Sequence, residues 1–228
     1  MRWSDVLFLH WEVQPSTVRS TLPSGLGVDM LRGSAYLGIV AFDMEDLSPL
    51  FAPSTGELFT REFAEVNLRT YVIGPDGRRG IYFYSLDADD RLSVIVANSL
   101  FGLPYEKASM RLEWEDGMFS FCSSREISNG ENVRFEAEYK PERGVEVSSR
   151  ASSFLTERYL FYFKTWRGLR VGRVRHDQWS LCGVDGAVIN NDLFASNQFE
   201  EPSSNPTMYY SDGVSVVADW PSQFGLYS

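Results

Sequence analysis

Polar side chains alternate with apolar ones along the segment 65–72, which reads EVNLRTYV. Successive side chains of a β-strand point to opposite faces, so every second residue of this segment shares a face. A carboxylate, an amide, a guanidinium and a phenol together could bind a small anionic compound and move a proton. The residues of this polar row are Glu65, Asn67, Arg69 and Tyr71.

The polar row could face either solvent or an enclosed cavity. In a half-exposed sheet the polar face simply meets water. The neighbouring segment 81–86 reads IYFYSL and is apolar or aromatic on both faces. A strand of that composition is typically covered on both sides, which favours a cavity lined by the polar row.

Two chemical interpretations remain open for the charged members of the row. In the first, Arg69 holds an anionic group through a forked contact, and Glu65 acts as acid or base after burial raises its pKa. In the second, Glu65 and Arg69 face each other as a buried structural ion pair.

Tyr105 is a further candidate, because the turn Gly102-Leu103-Pro104 leads directly into the segment that it begins. A glycine and a proline two residues apart fix a sharp turn and aim the next side chain in a set direction. Tyr105 could then donate a hydrogen bond to a developing negative charge. Simple packing is the alternative for a tyrosine in this position.

No metal site or cofactor is expected from the sequence. His10 and His176 are the only histidines, and neither has metal-ligand spacing with another histidine, cysteine or carboxylate cluster. His10 lies among Phe8, Leu9 and Trp11, where a hydrogen-bonded core histidine is the common case. The nucleotide-binding glycine motifs and the common hydrolase motifs do not occur.

Composition indicates a cytoplasmic globular protein that binds neither nucleic acid nor membranes. The 228 residues carry a net charge of −10, and phosphate backbones and anionic lipids repel such a chain. The two cysteines are far apart and suit a reducing compartment, and no apolar stretch reaches the length of a membrane span. Without repeats or linkers, residues 1–228 are interpreted as one domain.

Turn signals and periodicity predict a mainly β fold with a few helices. The clearest hairpin joins 65–73 to 80–87 through Gly74-Pro75-Asp76-Gly77. A helix is expected from Asp89 or Asp90 to Gly102, the segment 46–62 is expected to be a loop, and 182–206 is expected to be irregular. A last hairpin is predicted over Asp212-Gly213. The result is an antiparallel sheet or a closed, cone-like barrel with peripheral helices.

An ordered set of short motifs covers nearly the whole chain and resembles the YqjF-like family. That family is similar in fold to acetoacetate decarboxylase, so the resemblance implies a cone-like β-barrel around a small-molecule cavity, often in a homo-oligomer. The motifs are Phe8-Leu9-His10-Trp11, Leu22-Pro23, Glu65-x-Asn67-Leu68-Arg69-Thr70-Tyr71, Ser85-Leu86-Asp87-Ala88, Leu103-Pro104-Tyr105, Thr156-Glu157-Arg158-Tyr159 and His176-x-x-Trp179.

The resemblance implies the fold of acetoacetate decarboxylase but not its covalent catalyst. Acetoacetate decarboxylase forms a Schiff base on a lysine whose pKa is lowered by a second lysine beside it. Here Tyr105 and Glu106 occupy the two lysine positions. Lys107 has the same strand parity as Tyr105, but Glu106 alongside would favour an unreactive, charged ammonium.

Three functional hypotheses follow from these residues. The first is an enzyme on a small carbonyl or carboxylate compound, with Glu65 and Tyr105 catalytic and with Arg69, Asn67 and Tyr71 binding the ligand. The second is a ligand-binding or sensor domain without catalysis. The third is a structural protein whose cavity is vestigial.

Overall fold

The computed structural model describes residues 1–46, 62–90, 103, 105–165 and 168–223, with side chains as far as 219. Fourteen strands and three short helices make up these residues. The strands are β1 (Arg2–Val13), β2 (Gly27–Val28), β3 (Ala35–Glu45), β4 (Phe63–Ile73), β5 (Arg79–Ala88), β6 (Tyr105–Lys107), β7 (Ser109–Glu115), β8 (Met118–Glu126), β9 (Asn132–Glu146), β10 (Leu160–Thr165), β11 (Gly168–Arg175), β12 (Cys182–Asn191), β13 (Thr207–Ser215) and β14 (Val217–Gln223). The helices are α1 (Pro15–Arg19), α2 (Arg150–Thr156) and α3 (Leu193–Ser196).

The predicted central hairpin is confirmed. Strands β4 and β5 pair antiparallel from Glu65 opposite Ala88 to Ile73 opposite Arg79. Gly77 in the connecting turn has φ of +78°, a backbone conformation that glycine adopts without steric penalty. The register shifts by one residue between Leu68 and Arg69, which marks a bulge in β5.

The mainly β class is confirmed, but the sheet is mixed and open rather than a closed antiparallel barrel. Its order is β14-β11-β10-β5-β4-β3-β1-β13-β12-β9-β8-β7, with β2 added to β4 and β6 added to β5. The pairs β5·β10 and β5·β6 are parallel. Among the described residues, no pairing joins the end strands β14 and β7.

Two hydrophobic cores lie on opposite faces of the central strands. The first packs Leu7, Ile39 and Leu68 against the returning strands β8 and β9 and against Phe194 of α3. The second lies on the other face of β1, β3 and β4 and includes side chains from β10 and β11 together with α2. Since strands from both ends of the half-sheet β1-β3-β4-β5-β10-β11 contribute to it, this half-sheet curves around the second core.

Two sequence predictions near the carboxyl end are wrong. The segment 182–206 was expected to be irregular but contains β12 and α3. Its glycines and asparagines are not typical of a strand, yet β12 pairs with β9 with two register shifts. The expected hairpin over Asp212-Gly213 does not form, because β13 runs straight through these residues while pairing with β1. Gly213 lies opposite Ser4 with φ of +117°, and a β-carbon there would overlap the carbonyl oxygen of Trp3.

Two expected elements lie wholly or mostly outside the described residues. These are the helix from Asp89 or Asp90 to Gly102 and the loop 46–62. In the part of the chain that is described, no helix is long and apolar enough to cross a membrane.

Candidate functional site

The polar row on β4 is buried, so the interpretation as a solvated face is wrong. Glu65, Asn67 and Arg69 are 3%, 2% and 9% exposed, and Tyr71 is fully buried. The apolar side chains on the other face of β4 are covered by the first core. The polar row faces the second core, to which Tyr71 belongs. Strand β4 thus carries a continuous row of polar groups into the interior.

Glu65 and Tyr105 are brought into direct contact by strand pairing. Leu86 of β5 lies opposite Asn67 of β4 on one side and beside Tyr105 of β6 on the other. The Tyr105 hydroxyl donates to Glu65 Oε2 at 2.8 Å, and Asn67 Nδ2 donates to Glu65 Oε1 at 3.2 Å. Both carboxyl oxygens of Glu65 are therefore held by neutral donors.

Burial raises the pKa of Glu65 to about 7, although the hydrogen bonds from Tyr105 and Asn67 and the nearby Arg69 charge all act to lower it. Desolvation dominates because a charged carboxylate loses its hydration in the interior. At neutral pH the group is present in both protonated and ionised forms. A carboxyl group with such a pKa is suited to general acid–base work.

Arg69 is buried, and no carboxylate of the described residues forms an ion pair with it. Burial lowers its pKa, and the guanidinium carbon lies 5.9 Å from the centre of the Phe8 ring. No ion pair forms between Glu65 and Arg69; the two oxygens of Glu65 accept from Asn67 and Tyr105 instead. Arg69 Nε and Asn67 Oδ1 are buried and have no hydrogen-bond partner among the described residues. The row therefore presents one donor and one acceptor that the described protein does not satisfy.

His10 of β1 is a buried, hydrogen-bonded histidine, as the sequence indicated, and it contacts the polar row through Tyr71. Tyr71 has one hydroxyl proton, which it donates to the carbonyl oxygen of Leu155 at 2.9 Å. It must then accept from His10 Nδ1 at 2.8 Å, which places the imidazole proton on Nδ1. Burial followed by the charge of Arg69 lowers the pKa of His10 well below its usual value, so the ring is neutral. Its Nε2 lone pair is buried and has no partner within the described chain.

Gly38 of β3 is a residue that sequence reasoning missed. It lies opposite Arg69 in the sheet. A β-carbon at this position would stand 3.1 Å from the Tyr71 hydroxyl and 3.3 Å from His10 Nδ1. The glycine thus provides the space in which these two side chains meet. The only available signal was a glycine inside a strand-like run, which often marks a close approach of another group.

None of the three lysines of the chain reaches the polar row. Lys107 has the parity expected for a strand that continues from Tyr105, but its ammonium pairs with Asp89 and donates to the carbonyl of Ala108 at 2.6 Å. Lys140 and Lys164 are exposed on β9 and β10. No group of three or more metal-ligating side chains is found in the described portion of the chain.

The curved half-sheet around a buried polar row is the acetoacetate decarboxylase-like fold. The enduracididine biosynthesis enzyme MppR complexed with pyruvate superposes with a TM-score of 0.66 at 14% identity, over 100% of this chain and 92% of that chain. The acetoacetate decarboxylase of Legionella pneumophila superposes with a TM-score of 0.58 at 13% identity, over 96% of this chain and 87% of that chain.

The chain belongs to the DUF2071 family, described as an uncharacterized conserved protein, whose model matches residues 1–215. It is 34% identical over 221 residues to the uncharacterized protein YqjF of Bacillus subtilis (strain 168), covering 96% of this chain and 89% of that protein. The resemblance to the YqjF-like family and to the acetoacetate decarboxylase-like fold is confirmed.

Proposed function

We propose that this protein binds a small carboxylate or carbonyl compound along the polar row of β4. The observation that carries the proposal is a pair of buried atoms, Arg69 Nε and Asn67 Oδ1, for which the described residues supply no hydrogen-bond partner. A buried polar group without a partner costs about 1–3 kcal/mol, and a ligand that supplies the missing hydrogen bonds recovers this energy. Arg69 anchors the anion, and Asn67 and Tyr71 border it.

The chemistry we propose at this site is acid–base rather than covalent. Glu65 exchanges a proton with the bound compound, because its pKa of about 7 makes both forms available near neutrality. Tyr105 positions this carboxyl through the bond of 2.8 Å. Imine formation has no support here, since residues 105 and 106 are tyrosine and glutamate and Lys107 is paired with Asp89.

A non-catalytic ligand-binding or sensor domain is the second candidate. One observation favours it: both oxygens of Glu65 already accept hydrogen bonds from the protein, from Asn67 and Tyr105. A carboxyl group engaged in this way could serve only to hold the site in shape. Arg69 would still bind the ligand.

Binding should be tested first with pyruvate and acetoacetate, the compounds named for two structural neighbours of the same fold. Calorimetry on the wild type and on Arg69→Met should show a loss of affinity of about 10- to 100-fold, because a hydrogen bond to a charged group is worth about 1.5–3 kcal/mol. Arg111→Met is the matched control, as Arg111 is exposed on β7. Equal binding by wild type and Arg69→Met would contradict the proposal.

Glu65→Gln separates the two candidates. If the protein is an enzyme, the variant should bind the compound and lose turnover. If it is a binding domain, only the affinity should change. Borohydride treatment in the presence of acetoacetate should leave the mass of the protein unchanged, and an adduct on Lys107 would show that the chemistry is covalent after all.

A further inference from the structure

An open groove of about 1030 Å³ lies beside α2; Phe154 and Arg158 line it and also contact the ring of Tyr71, the last residue of the polar row. Its walls come from the turn between β2 and β3, the β4–β5 hairpin, α2 with the residues that follow it, and β11. Six arginines line this arginine groove: Arg32, Arg78, Arg79, Arg150, Arg158 and Arg173.

The positive charge of the arginine groove is only partly compensated. Asp29 pairs with Arg158 at 2.7 Å and lies 3.6 Å from Arg79, while Asp76 pairs with Arg78. The carboxylate of Glu157, which also lines the groove, accepts hydrogen bonds from the Tyr159 hydroxyl and the Trp179 amide.

For three of the six arginines, the described residues supply no acidic partner. Within the described ranges, no carboxylate forms an ion pair with Arg32, Arg150 or Arg173, and all three are exposed. The whole chain carries a net charge of −10. The arginine groove is therefore positively charged on a protein whose net charge is negative, and such a groove attracts multivalent anions.

Arg158 gives the groove a rigid wall. Its guanidinium lies 4.3 Å from the centre of the Phe154 ring and 5.1 Å from that of Tyr71, and Nε donates to the Phe154 carbonyl at 2.7 Å. The side chain is 5% exposed. Nη2 is buried and has no hydrogen-bond partner among the described residues. A fixed guanidinium with an unsatisfied donor is the arrangement that binds phosphate oxygens well.

We propose that the arginine groove binds a small molecule that carries two or more phosphate groups, such as a nucleoside diphosphate. Three arginines on separate segments, for which the described chain supplies no acidic partner, favour a ligand with several negative charges over a monoanion. The groove has the volume of a small-ligand site. The inference goes beyond the proposed function, because it concerns a different ligand at a different place.

The test is calorimetry at fixed ionic strength with ADP, pyrophosphate, tripolyphosphate, sulfate and a single-stranded oligonucleotide. The wild type should bind tripolyphosphate at least tenfold more tightly than sulfate. Tighter binding of ADP than of pyrophosphate would show that the nucleoside contributes, and equal binding would restrict the ligand to the phosphate chain. Both of these results support the proposal.

The double variant Arg150→Ser, Arg173→Ser removes two exposed, unpaired arginines and should weaken tripolyphosphate binding at least tenfold. The control is Arg111→Ser, Arg134→Ser, which removes two exposed arginines from β7 and β9. Three results would overturn the proposal. The two double variants could lose equal affinity, sulfate could bind as tightly as tripolyphosphate, or the oligonucleotide could bind more tightly than either. The proposal would also be overturned if the wild type bound no polyphosphate and the groove variant changed its oligomeric state.

Discussion

Glu65 and Asp87 are buried carboxyl groups on neighbouring strands that face opposite sides of the same sheet. Asp87 of β5 lies opposite Val66 and shares its face, while Glu65 lies opposite Ala88. Asp87 accepts from the guanidinium of Arg125 of β8 at 2.9 Å. Among the described residues, the donors to Glu65 are a phenol and an amide.

The two carboxyl groups therefore titrate at different points. Burial raises the pKa of Asp87 to about 6, with Arg125 acting to lower it, whereas the pKa of Glu65 rises to about 7. At pH 7 Asp87 is mostly ionised and paired, and Glu65 is roughly half protonated. A charged partner fixes one protonation state, while neutral donors leave both accessible.

Removing Arg125, the charged partner of Asp87, should have the largest effect on the free energy of unfolding. Arg125→Met leaves Asp87 buried without a cation, and breaking such a pair costs about 3–5 kcal/mol. The loss in free energy of unfolding, measured in urea at pH 8, should approach this range. It should be smaller at pH 5, because Asp87 can then be protonated.

Two controls define this measurement. Arg111→Met, at an exposed position on β7, should change stability by no more than about 0.5 kcal/mol. Asp87→Asn combined with Arg125→Met should recover much of the loss, because no buried charge remains. A loss with Arg125→Met that is the same at pH 5 and pH 8 would show that the pairing of Asp87 is not its cause.

Glu65→Gln should change the pH dependence of the free energy of unfolding. The size of this change should be somewhat smaller than the loss expected for Arg125→Met. Glu65 has an ordinary pKa near 4.5 when unfolded and about 7 when folded, so the folded state binds the extra proton between these values. Its stabilising contribution is complete below pH 4.5 and is lost as the pH rises through 7. The variant lacks this titration. Its free energy of unfolding relative to wild type should rise by about 3 kcal/mol from pH 4 to pH 8.

Urea unfolding at closely spaced pH values measures this difference. Asp87 titrates in both proteins and cancels in the comparison. Two curves that run parallel from pH 4 to pH 8 would mean that Glu65 does not keep its proton in the folded state.

The sequence was sufficient to predict the polar row but not its partners. Alternation in 65–72 predicted a strand with a polar row, and the apolar run 81–86 favoured an enclosed position for that row; the strand and the burial of the row are confirmed. Local periodicity carries this information because it depends on neighbours in the chain.

Contacts between distant residues could not be read in the same way. The bond between Tyr71 and His10 joins residues 61 positions apart, and it depends on the space left by Gly38. The alternative of a buried ion pair between Glu65 and Arg69 is wrong, because the oxygens of Glu65 accept from Asn67 and Tyr105 instead. Tyr105 is 40 residues away from Glu65, so strand periodicity could not reveal this contact.

The smallest expected effect concerns the neutral donor that holds Glu65. Tyr105→Phe removes the hydrogen bond that most lowers the pKa of this carboxyl, so the pKa should rise above 7 while that of Asp87 stays near 6. The stability change should be about 1 kcal/mol, the net value of one hydrogen bond. Carboxyl carbon chemical shifts of both residues, followed by NMR titration, measure the two pKa values in one sample.

Tyr82→Phe provides the matched control, because Tyr82 is a partly buried tyrosine of β5 that packs in a separate hydrophobic cluster with Val72 and Tyr162. It should leave both titrations unchanged. If Tyr105→Phe moved the two carboxyl titrations together, a general loosening of the sheet would be the cause. A shift confined to Glu65 would instead show that a neutral donor 40 residues away sets the proton affinity of this carboxyl, independently of the charged pair on the other face of the sheet.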